Sequence, residues 1–188
     1  MKKNVFDFVD NPLECLTTND PYLILEVIEI SDRVYQKILL DELIPKLDCT
    51  DADNYAIGYA YYLLYAINNK KESLEKSFYY LNKEVDKNVG NMYAKAYLAY
   101  ASYEMQKLDF CLTLIKQIPF GYFSKKKQRW RDLDLEQIKI CCLLRLNKLS
   151  NIEDEIFNYF IHISKTKEID IPLPTELSNT LRTITSSH

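Results

Sequence analysis

The sequence predicts an all-α fold, about four antiparallel helix pairs stacked as a short solenoid, and three observations predict it. Glycine occurs only three times in 188 residues, at Gly58, Gly90 and Gly121. A β-sandwich or barrel needs a tight turn about every 8–12 residues, and a nucleotide-binding α/β fold needs a glycine-rich phosphate loop, so both are excluded. Apolar residues recur at helical spacing in one segment after another, and no alternating strand pattern competes with them. The points where one helix of a pair gives way to the next, Ser31-Asp32, Asn68-Asn69, Gln106-Lys107 and Asn147-Lys148, follow one another at about 37 to 41 residues. One helix pair per fixed period is the signature of an α-solenoid, whose units bury their apolar faces only against each other.

The first helix opens at Asp20-Pro21, a capping residue with proline in the first turn, and carries Tyr22, Leu23, Leu25 and Ile30 to a stop at Ser31-Asp32. Arg33 to Leu43 follows with Val34, Ile38 and Leu39 on one face, and Pro45 marks its end. Thr50-Asp51-Ala52-Asp53 reads as a capping box opening a long helix to about Ile67. About Glu72 to Val85 is next, with Leu74, Phe78 and Leu81 on one face and Glu72 and Glu75 in the favourable first turn. Met92 to about Lys107 is apolar on more than one face, as a helix held between neighbours must be. Asp109 caps a short helix ended by Pro119-Phe120-Gly121. After a basic stretch, Lys125 to Arg131, helices span about Asp132 to Asn147 and about Asn151 to Ser164. The repeat domain is thus expected over residues 1–168. Residues 169–188 form a separate tail, extended through the two prolines of Ile169 to Pro174 and then a short helix from Thr175 to Ile184.

Between Asn54 and Pro119 the pattern resembles the tetratricopeptide-repeat family. Leu98-Ala99 stands where that family has its Leu-Gly or Leu-Ala pair, Cys111 takes a small-residue place, Pro119 follows the second helix, and Tyr65 and Phe78 fit the aromatic places of the preceding unit. Tyr62, Leu74, Leu81 and Ile118 are larger than the family's pattern, which implies degenerate repeats. The resemblance implies a right-handed superhelix whose groove is lined by the first helix of each pair. The lining would include Tyr59 and Leu63 in one unit, Tyr93, Tyr100 and Tyr103 in the next, and Arg145 in the third.

Charge and chemistry narrow the function. The net charge of -3 conceals a polarised chain: residues 1–60 hold 12 acids and 5 bases, residues 61–131 hold 6 and 13, and residues 132–188 hold 9 and 6. No apolar run approaches the roughly 20 residues that span a bilayer, and Asp7 and Asp10 interrupt any signal-peptide core, so a cytoplasmic protein with no membrane association is expected. Five cysteines without C-x-x-C spacing fit buried thiols in a reducing compartment. His162 and the terminal His188 lack neighbours at ligand spacing, no nucleophile motif is present, and the acidic pairs lie at helix ends. No catalytic residue, metal or cofactor is therefore expected.

Two binding surfaces remain. Lys125, Lys126, Lys127, Arg129, Trp130 and Arg131 combine five cations with the only tryptophan, the chemistry of single-strand nucleic-acid binding, although an acidic protein lacks the overall basic excess of such binders. Fifteen tyrosines, with Tyr93, Tyr97, Tyr100 and Tyr103 striping one helix and Tyr55, Tyr59 and Tyr62 another, suit a protein-binding groove. The expectation is a non-catalytic, stand-alone module that holds a helix or extended segment of one partner protein, and the acidic amino-terminal third suits a basic partner. An immunity-type neutraliser of a bacterial toxin and a secretion chaperone are its most concrete forms.

Overall fold

The computed structural model describes residues 3–48, 53–148 and 152–164, together with Ser178. The described residues form helices and turns and no strand. The predicted tail helix, the capping-box residues Thr50 to Ala52 and Cys49 lie outside them. The chain divides into two compact units, Met1–Ala101 and Ser102–His188, a division that falls inside the stretch read from the sequence as one repeat domain.

The first unit begins with two 3-10 turns, Val5–Phe8 and Pro12–Thr17, ahead of the first predicted helix. Asn4 caps the first of them and Asp7 bonds back to the Asn4 N–H at 2.8 Å, a reciprocal cap that encloses a single turn. Helix α1 spans Pro21–Ile30 and α2 spans Arg33–Asp48. The Asp20 carboxylate accepts from the N–H groups of Tyr22 and Leu23, and Asp32 does the same for Val34 and Tyr35. Pro45 does not end α2 as expected but sits inside its last turns. There its missing N–H removes a single ladder bond while Leu43 and Leu47 stay buried on either side of it.

Helix α3 spans Asn54–Asn68 and α4 spans Lys71–Lys87, joined by Asn69 in the left-handed region. Asp53 caps α3, accepting from Ala56 N–H at 2.7 Å. The two helices run antiparallel: Asn68 bonds Ser73 near the turn, and farther along the buried Ser77 hydroxyl donates to the Gly58 carbonyl at 2.8 Å. At Gly58 the approach is so close that an added Cβ would lie 2.6 Å from Leu81 Cγ and 3.0 Å from the Leu81 backbone nitrogen. The Arg33 guanidinium donates to the Ala66 and Ile67 carbonyls, which sets the start of α2 against the end of α3. Helix α5 spans Met92–Glu104, shorter than expected, and the division between the units falls near its end.

In the second unit α6 spans Leu108–Lys116, α7 Arg129–Arg145 and α8 Ile152–Ser164. Asp109 is not the cap of α6; it lies inside the first turn, where its charge meets the positive end of the helix dipole, and Lys107 holds the cap position. The basic stretch is also not all loop, since Arg129, Trp130 and Arg131 form the first turn of α7. Helices α7 and α8 run antiparallel around a core of Leu133, Ile140, Ile152, Ile156 and Tyr159, with Lys139 paired to Glu155 at 2.6 Å on one edge. Cys15, Cys111, Cys141 and Cys142 are buried free thiols. Burial pushes the Cys15 thiol up to about 11, and the hydrogen bond of Cys111 with Cys142 together with burial raises Cys111 well above its ordinary value. Neither has thiolate character at neutral pH.

Candidate functional site

On the outer side of α3 and α4, where the end of α2 meets them, the first unit carries a groove of about 400 Å³ lined by Asp48, Tyr61, Glu72, Glu75, Lys76, Tyr79 and Tyr80. Helical spacing explains the gathering. Glu72, Glu75, Lys76, Tyr79 and Tyr80 fall at i, i+3, i+4, i+7 and i+8 and so share the face of α4 turned away from Leu74 and Leu81, which are buried. Tyr61 reaches the same place from α3. Its ring lies parallel to that of Tyr80, 5° apart in plane and 6.3 Å between centroids, and Tyr79 meets Tyr80 edge-on at 5.2 Å.

The groove is acidic, with three carboxylates against one ammonium group. The Tyr61 hydroxyl donates to Asp48 at 2.9 Å, and burial followed by that carboxylate's influence raises its phenol above the ordinary value. The Lys76 ammonium sits over the face of Tyr61, 5.0 Å from the ring centroid, and 3.3 Å from Glu72. The Lys83 ammonium covers Tyr79 in the same way at 5.2 Å. Ring faces, carboxylates and the carbonyl end of α2 beside Asp48 all favour a positive group.

The tyrosines expected to line a groove are placed otherwise. Tyr59, Leu63 and Tyr100 are 3 %, 8 % and 6 % exposed, which corrects the expectation that they line an open surface. Their stripes face neighbouring helices: Tyr22 of α1 stacks on Tyr55 at 5.8 Å, and Tyr97 of α5 lies 4.1 Å from Tyr59 and 5.6 Å from Tyr62. Tyr62 and Tyr100 meet at 5.9 Å. Tyr93 is half-buried. In the second unit, half-buried Tyr103 carries the Arg145 guanidinium over its ring at 4.7 Å, while Arg145 also bonds Gln106 at 3.2 Å, so those two residues are together.

The basic segment is dispersed in role. Lys125, Lys126 and Lys127 are exposed. Arg131 is 1 % exposed, its guanidinium stacked 4.4 Å from Trp130 and 5.6 Å from Phe123, which corrects its expected place in an open cationic patch. Trp130 is half-buried beneath that contact, and Arg129 donates to the His162 carbonyl at 2.9 Å.

A second cleft, of about 310 Å³, lies between the start of α7 and the end of α8 and is lined by Phe120, Gly121, Ser124, Arg129, Asp132, Leu133, Glu136 and His162. The His162 Nδ1 lies 2.9 Å from the Glu136 carboxylate, and Phe120 packs against the imidazole at 4.8 Å. Burial holds Glu136 above the usual carboxylate range, against the opposing influence of His162. Asp132 accepts from the backbone N–H groups of Phe123 and Ser124 and from the Ser124 hydroxyl at 2.5 Å, so that hydroxyl is directed to a carboxylate and away from the imidazole. The histidine and acid pair is present, and the lining holds no cysteine.

No protein-family model matches the chain, and no curated protein or solved structure matches it. Among the described residues no helix is long and apolar enough to cross a membrane, and no three metal-ligating side chains gather.

Sequence reasoning missed both clefts. Glu72 and Glu75 read as first-turn acids placed for the helix dipole; Glu72 is one, while Glu75 lies beyond the first turn because α4 begins at Lys71, and the use of both in the groove depends on Tyr61 and Asp48 arriving from other helices. One signal was present: Tyr79-Tyr80 sits on the polar face of α4, where large aromatic rings have no core to fill.

Proposed function

We propose that this protein is a non-catalytic interaction module that holds a basic segment of one partner protein in the acidic, tyrosine-lined groove of α2, α3 and α4. The observation that carries the reading is the Tyr61 face, which already bears an ammonium group and is ringed by Asp48, Glu72 and Glu75. Tyr61 is only 6 % exposed with Lys76 lying over it, so the open apolar area comes from Tyr79 and half-buried Tyr80, and the carboxylates supply attraction and orientation. A groove of this size takes one or two side chains, so the rest of the affinity comes from neighbouring exposed surface on α4, including Tyr79, which is 56 % exposed.

The helix-pair repeat reading belongs with this proposal. It is supported by the antiparallel α3–α4 hairpin and by the tyrosine contacts that set α1, α3 and α5 side by side. Neutralisation of a basic bacterial toxin, or escort of a basic client before secretion, is the role such a groove serves, and the buried free thiols support a cytoplasmic setting.

The test is fluorescence anisotropy of labelled basic peptides with the full chain. Glu72→Gln with Glu75→Gln is expected to weaken binding about 3- to 10-fold, and Tyr79→Ala about 2- to 5-fold, at unchanged helicity. Raising the salt from about 50 to 500 mM weakens it further. Equal affinity in wild type and the double variant rejects the groove.

A further inference from the structure

Resting on that reading, we propose that the groove is an arginine site that Lys76 occupies in the free protein, and that a partner's guanidinium replaces Lys76 on the Tyr61 ring. Lys76 combines two features of an internal placeholder. Its ammonium makes the contacts an incoming cation would make, over Tyr61 at 5.0 Å and beside Glu72 at 3.3 Å. Yet its side chain is 46 % exposed and flexible enough to swing out, since a lysine stem has four rotatable bonds and its Glu72 partner is 77 % exposed; its departure uncovers the Tyr61 ring, which is 6 % exposed beneath it.

The surroundings suit a guanidinium better than an ammonium. The Tyr61 and Tyr80 rings are parallel, and a planar, weakly hydrated guanidinium stacks on a ring face while an ammonium remains hydrated. Asp48 and Glu72 flank the same ring on different helices, so a fork of five donors reaches carboxylates that a compact ammonium meets one at a time. Asp48 bonds only the Tyr61 hydroxyl among the described residues, which leaves it acceptor capacity for a newcomer. Glu75 is paired at its far side with Lys71 at 3.2 Å, an exposed pair that yields readily to competition.

The placeholder keeps the acidic groove from attracting every cation, and it makes arginine the favoured guest. Its removal must therefore strengthen binding of an arginine peptide beyond what the loss of one positive charge does elsewhere on α4. Lys87, exposed in the last turn of α4, provides that comparison.

The experiment measures the anisotropy of fluorescein-labelled hexa-arginine, hexa-lysine and hexa-citrulline peptides with the wild-type chain, Lys76→Gln and Lys87→Gln at about 100 mM salt. Expected are arginine over lysine by about 3-fold or more, no citrulline binding, and a further gain of about 2- to 5-fold for hexa-arginine in Lys76→Gln with less than about 2-fold in Lys87→Gln. Equal gains in the two variants, or equal affinity for arginine and lysine, overturn the placeholder while leaving the groove reading in force. Absence of binding by all three chains overturns both.

Discussion

Gly58 and Glu136 show how single atoms set the terms for each unit. At Gly58 there is no room for a methyl group, because Leu81 approaches with its backbone as well as its side chain, and a backbone cannot rotate away. Gly58→Ala is expected to push α3 from α4 and to cost about 1–3 kcal/mol, read as a lower thermal midpoint at unchanged helix content. At Glu136 the balance is electrostatic. Burial raises its pKa, the nearby Asp132 adds to that rise, and His162 and Lys139 oppose it, with burial prevailing. The folded protein therefore holds the Glu136 proton more tightly than the unfolded chain, so this group's stabilisation is complete below the ordinary carboxylate value and is lost as pH rises through the raised one. Glu136→Gln keeps an acceptor for His162 and removes the titration. Thermal melts between about pH 4 and pH 7 should show the variant gaining on the wild type as pH rises; a constant difference contradicts the assignment.

Helices were largely legible because their signals are local. Asp20 caps α1 with its own carboxylate as its place before proline indicates, and the apolar spacing around Leu25, Leu39, Leu81 and Ile156 is complete within one element; Asp32, read only as a stop, also caps α2, and Asp53, read as the end of a capping box, is itself a cap of α3. The side a tyrosine stripe faces was not legible, because a ring every three or four residues marks a contact face whether the contact is solvent, a partner or the next helix. Tyr97 decides the matter in the first unit. It is 1 % exposed, it touches Tyr55, Tyr59, Tyr62 and Tyr100, and its hydroxyl donates to Glu29 of α1 at 2.5 Å. Tyr97→Phe keeps the ring packing and loses a charge-assisted bond, so a loss of about 1.5–3 kcal/mol in stability is expected, without change in the groove. The family pattern has its glycine at Tyr62, and the large residue there implied helices held apart; α3 and α4 approach closely one turn earlier, where Gly58, with Ser73 and Ser77 facing α3, supplies the small residues.

For the molecule as a whole, the polarised charge of the chain was legible, and its meaning changes once the chain folds. The positive middle third includes α4, yet Glu72 and Glu75 join Asp48 from the acidic first third to make a negative groove, while Lys71 and Lys76 neutralise its rim. No count along the sequence brings Asp48 to Tyr61; the packing of α2 against α3 does so. The cluster Lys125 to Arg131 separates in the opposite sense, with three exposed lysines and one arginine enclosed by Phe123 and Trp130. The groove account is tested most directly by amide NMR of the isotope-labelled full chain titrated with unlabelled hexa-arginine peptide. It predicts that shifts concentrate at Asp48, Tyr61 and residues 72–80. Shifts centred on residues 120–136, or spread evenly over every exposed acid, contradict it.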